Sequence, residues 1–155
     1  MTGETHPPVH PGDQINAAMI ARIYDGMRAC TLPKQEWTHG GHLVCGCAIL
    51  ADLGLDEAEA QMPGMIRRYN ISTGGENTDT DGYHHTITLF YLRIIAQFIA
   101  SHSAVNLAAQ ATALLASPLA DKAYALSFYS EDHLFSVAAR KGWAEPDIKP
   151  LPHVK

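Results

Sequence analysis

Charge is scarce in this chain, at 17% of residues against roughly 25% in an average soluble protein. No stripe of Lys and Arg forms; the densest groupings are Arg67-Arg68 and Arg140-Lys141. With 11 basic and 16 acidic residues the formal net charge is −5, a poor balance for neutralising phosphates, so no nucleic-acid partner is expected. Cysteine is equally sparse. Cys30, Cys45 and Cys47 are too few and odd in number for a disulfide framework. Cys45 and Cys47 lie two apart on a helical stretch, so their side chains point about 200° apart and cannot chelate one ion. They read as small core residues. Long apolar runs are also missing: Ile87 to Ala100 is interrupted by Arg93 and Gln97 and is too short to span a bilayer, so no membrane partner is expected. Met1 to Gln14 is polar and proline-rich, without the apolar stretch of a signal peptide, which makes a cytoplasmic protein the expectation. No segment alternates apolar and polar residues, and no internal repeat or low-complexity tract is present. That excludes most β architectures and leaves an all-α fold.

What is present suffices for a core. The chain has 155 residues, 46% of them hydrophobic, enough for one domain without disulfides or a structural metal. Residues 1–12 read as a flexible tail, 13–142 as a single helical bundle of about five main helices, and 143–155 as an extended proline-rich C-terminal arm. Asp13 is the expected cap of a first helix carrying Ile20, Ile23 and Met27 and ending before Pro33. A second helix should open at Thr38 and close at Gly54. A third should begin near Asp56 and kink at Pro63-Gly64. Asn70 to Gly82 forms a polar loop long enough to carry function. Tyr83 to Ser101 is apolar on nearly every side and reads as the central buried helix. Helices over 104–116 and 119–129 follow, then short turns capped by Ser130 and Ser136.

Histidine is the one residue in excess, with nine copies. His6, His10 and His153 fall in the tails, His102 suits the dipole at the end of the central helix, and His133 sits in a short turn. The other four are paired. His39 and His42 share a face at the start of the second helix, and His84 and His85 open the central one. In an up-and-down bundle the second and fourth helices run in the same direction, so both pairs lie at one end of the bundle, where the Asn70–Gly82 loop also finishes.

Three imidazoles converging there, His39, His42 and His84, would hold a divalent metal such as Zn, Fe, Ni or Cu and leave a position open for water or substrate. Periodicity does not decide between His84 and His85; His84 is preferred because it keeps Thr88 beside it. Glu76 is the candidate general base, with Asp79 and Asp81 as alternatives or a fourth ligand. Tyr83 is a second catalytic candidate, and Trp37, Asn70, Asn77, His85 and Thr86 are candidates to contact substrate. Two helix N-termini favour an anionic substrate group. The expectation is a metal-dependent enzyme acting on a small polar or anionic molecule. The alternatives are a non-catalytic protein that binds a small ligand or a metal, and a helical homodimer whose histidines only satisfy loop carbonyls and carboxylates.

Glu36-Trp37-Thr38-His39-x-x-His42-Leu43, Tyr69-Asn70 and Gly82-Tyr83-His84-x-Thr86-Ile87-Thr88 together resemble a family of small bacterial proteins with no settled activity. Tyr129-Ser130, Ala139-Arg140 and Trp143-x-Glu145-Pro146-Asp147-x-x-Pro150-Leu151 extend the similarity over roughly residues 28–151. The position after the second-cluster histidine is often Glu in that family and is His85 here. The resemblance implies an all-helical fold, a site at these motifs, and a fixed place for the Glu145-Pro146-Asp147 arm near the site or on a partner subunit.

Overall fold

The computed structural model describes residues 6–152, so His153 lies outside it. Among the described residues the chain is all-helical, as the absence of alternating patterns implies. Five main helices, α1 (Ala17–Arg28), α2 (His39–Leu53), α3 (Leu55–Ser72), α4 (His85–Ser101) and α5 (Leu107–Leu115), are followed by two short ones, α6 (Glu131–Leu134) and α7 (Val137–Lys141). Single 3₁₀ turns occupy Lys34–Glu36, Pro118–Ala120 and Tyr124–Ser127.

The ends of α2 follow from its sequence. Thr38 caps it by accepting the Gly41 amide at 3.2 Å, and Gly54 ends it with φ of 80°, a left-handed value that suits glycine. Other boundaries differ from expectation. The cap of α1 is Asn16, which accepts the Met19 amide, while Asp13 is spent on the His10 amide. Pro63 lies inside an unbroken α3; it removes a single donor, and the helix runs on to Ser72. No α-helix forms over 119–129. Asp121 turns extended and its side chain accepts the Ala123 amide at 2.9 Å, restarting the chain between two 3₁₀ turns.

The most enclosed helix is α2 rather than α4. It packs against α1, α3, α4 and α5, and Gly40, Gly41, Gly46, Cys45, Cys47 and Ala48 let its neighbours approach closely. A Cβ on Gly46 would meet the Ile95 side chain at 2.8 Å, and one on Gly40 the Val9 carbonyl at 2.7 Å. Cys45 and Cys47 are core residues; burial pushes their thiols up to about 12 and about 11.

At both ends the described residues are laid onto the bundle. In the described part of the N-terminal segment, expected to be loose, Val9 is buried, the Gly12 amide donates to the Leu115 carbonyl, and the His6 amide donates to Glu36. The C-terminal arm is extended and anchored over its described residues, 143–152. Thr86, fully buried on α4, donates to the Gly142 carbonyl at 2.8 Å and accepts the Ala144 amide at 3.0 Å. Tyr129 donates to the Ala144 carbonyl, and Asp147 accepts both the amide and the hydroxyl of Ser130.

Candidate functional site

A buried ion pair sets the entrance to α2. Glu36, 3% exposed, accepts from Nε and Nη2 of Arg22 at 2.8 and 2.7 Å, and the guanidinium holds its carboxyl below the usual range. This anchors Trp37 and Thr38, which deliver His39 and His42 to the first turn of α2. On the other side, Gly82 turns the chain into α4 with φ of 79°; a Cβ there would fall on the Glu76 carbonyl. Asn77 stitches the preceding loop together, accepting from the Asn70 side chain and the Tyr83 amide and donating to the Arg67 carbonyl. Arg140 on α7 donates to the Gly82 carbonyl and fixes the same corner.

Between these two entrances lies a cavity of about 500 Å³. Trp37, His39, His42, Asn70, Tyr83 and His84 all border it, so both histidines of the first pair and one of the second share this wall. Most of the remaining wall is apolar, from Met62 and Ile66 on α3 and Ile87, Leu92 and Ile95 on α4. The roof comes from Ala125, Leu126, Leu134 and Phe135, in the segment of short turns. Size and lining match those of small-molecule sites.

The ring nitrogens define what each histidine can do. His84 is the cap of α4: Nδ1 accepts the Ile87 amide at 3.1 Å, and Nε2 donates to the Leu134 carbonyl at 2.8 Å. Both nitrogens are occupied in a neutral ring, and burial lowers its pKa. His39 Nε2 donates to the Leu119 carbonyl at 2.8 Å, with the Tyr91 ring edge-on at 5.2 Å. His42 is different. Its Nδ1 lies 2.7 Å from the Thr38 carbonyl, which can only accept, so Nδ1 carries the hydrogen and Nε2 presents a bare lone pair. No described group bonds that lone pair. Protein surrounds the ring, and desolvation, the largest effect, pushes its pKa down to about 4 despite the favourable carbonyl; His39 adds a smaller push in the same direction. The residue nonetheless keeps some accessible surface while bordering the cavity, and Trp37 lies against the ring with centroids 3.8 Å apart.

Among the described residues, no group of three or more His, Cys, Asp or Glu side chains is arranged to hold a metal ion. His39 and His84 each direct Nε2 at a backbone carbonyl, and His84 Nδ1 is bonded as well. As arranged, the three imidazoles do not fit a shared ion. Glu76, Asp79 and Asp81 are exposed and outside the cavity wall, and Asp79 pairs with Lys141 at 3.2 Å. His85 is not part of the cavity wall; its Nδ1 shares a hydrogen bond of 2.7 Å with the Tyr83 hydroxyl, and Arg67 lies over the Tyr83 ring. Burial pushes the Tyr83 hydroxyl up to about 12. Thr86 is committed to the C-terminal arm, and Asn77 to its loop.

Two wall residues carry no motif. Tyr91 follows His84 by two turns of α4, so helical spacing alone could have singled it out. Its hydroxyl is buried without a hydrogen-bond partner; the Ala125 amide lies near but does not align as a bond. Lys122 borders the cavity from the link between the two 3₁₀ turns, a position that no periodicity marks. No known protein family, curated protein or solved structure matches the chain.

Proposed function

We propose that this protein binds a small molecule with an apolar body and a hydroxyl or amide hydrogen, which donates to Nε2 of His42. The observation that carries this reading is the free lone pair of a neutral imidazole bordering a largely apolar cavity. A hydrogen bond made there is sheltered from water, and a ligand without a donor leaves the desolvated lone pair unpaired, so the site selects for a donor. Trp37 holds the ring plane, and the Thr38 carbonyl holds the tautomer.

Octanol is a suitable first probe, with octyl methyl ether as its donor-less counterpart, both measured by isothermal titration calorimetry. Octanol should bind tighter than the ether, and His42→Phe, which keeps an aromatic ring against Trp37, should weaken octanol about tenfold, as expected for one hydrogen bond. The ether should change little. Equal octanol affinity in wild type and variant would sink the proposal.

Binding of a divalent metal is a second proposal for the same residues, supported by three imidazoles bordering one cavity. It requires His39 and His84 to release the Leu119 and Leu134 carbonyls and turn inward. Zinc-dialysed, untagged protein assayed by mass spectrometry should then retain one equivalent that His42→Ala loses. No retained zinc would reject it.

A further inference from the structure

Resting on the small-molecule reading above, we infer that the ligand is an amphiphile with one negative charge, received by Lys122 where the cavity opens. The cavity wall is selective in charge. Lys122 is its single formally charged side chain among the described residues, and no Asp or Glu borders it. Yet acidic residues outnumber basic ones in the chain, 16 to 11. Asp121, next to Lys122, has its carboxylate directed at the Ala123 amide, and Lys122 makes no ion pair with any described residue. The ammonium is exposed, and so, at 54%, is Phe135, which borders the same cavity. An exposed cation and an exposed apolar ring thus share the cavity wall with the less exposed acceptor of His42.

A molecule matching both ends has a carboxylate or similar monoanion outside, an apolar middle, and a donor inside. A cationic head is opposed by Lys122 and meets no carboxylate on the wall, although the charge of Asp121 reaches the Tyr91 hydroxyl. A neutral head gains nothing from Lys122. The charge also aids capture, because a cation at the opening draws anions toward a protein that otherwise repels them.

Three probes sharing one hydroxyl and one chain separate the possibilities: ω-hydroxyoctanoate, octanol and ω-aminooctanol, titrated calorimetrically into the full-length protein at low salt. The hydroxy acid should bind at least about tenfold tighter than the amino alcohol, with octanol between them. Lys122→Glu should weaken the hydroxy acid about tenfold, leave octanol within twofold, and tighten the amino alcohol. Lys122 is exposed and makes no bond that the fold needs, so the variant should fold as wild type does. Equal binding of the hydroxy acid and the amino alcohol would overturn the inference, as would a Lys122→Glu variant that still prefers the acid. If octanol binds and responds to His42→Phe while Lys122→Glu changes nothing, the charge assignment fails and the parent reading stands. If no probe binds, both fail.

Discussion

His42 links the site to the stability of the whole protein. In the unfolded chain its imidazole titrates near 6.5, whereas in the fold it titrates near about 4. Between those values the unfolded chain binds a proton that the native state refuses. Stability is therefore complete above about pH 6.5 and falls as pH drops toward about 4, by on the order of 3 kcal/mol in full. His84, also shifted down by burial, adds loss in the same direction. Urea midpoints measured at neutral pH and near pH 5 should diverge for wild type, and His42→Phe should remove most of that difference. A slope unaffected by the substitution would show that the ring is not held neutral by the fold. The role of His42 was only partly legible in the sequence. The pairing of histidines at helix starts singled out His39, His42 and His84, which border one cavity. Which nitrogen is free depends on the Thr38 carbonyl, and which histidine is spent depends on carbonyls at Leu119 and Leu134, far away along the chain.

At the level of elements, the segments that read well are those whose signals are local. Thr38 and Gly54 bracket α2 because a hydroxyl cap and a left-handed glycine act within a few residues. The start of α4 is less readable, since His84 is an uncommon cap and its second bond reaches α6. Residues 119–129 mislead because their apolar spacing is helical, yet the Asp121 side chain competes for the amide that would continue the helix. The C-terminal arm was expected to be extended, but the residue that pins it, Thr86, read as a substrate contact. Its hydroxyl both donates and accepts in a site without water access. Thr86→Val keeps the shape and loses both bonds, so it should lower stability by about 2 kcal/mol with an unchanged denaturant slope. A loss under about 0.5 kcal/mol would mean that the arm is held by Tyr129 and Asp147 instead.

On the scale of the molecule, topology carried the main inference: alternating helix directions bring the first turns of α2 and α4 together, and the cavity lies between them. The identity of the central helix was harder to read. Apolar content favoured α4, but enclosure depends on how closely neighbours can approach, and the small residues of α2 allow four helices to surround it. The cavity roof belongs to neither helix. The Leu119 carbonyl that takes up His39 lies 80 residues further along the chain, the Leu134 carbonyl lies 50 beyond His84, and the Ala144 amide 58 beyond Thr86. Ordered by time of synthesis, the floor of the cavity therefore emerges first and waits for its ceiling. Until residues 125–135 have left the ribosome, the wall apolar groups lack their roof and His84 lacks its second partner. A chain stopped after α5 would hold the five main helices and most of the wall, but not the roof.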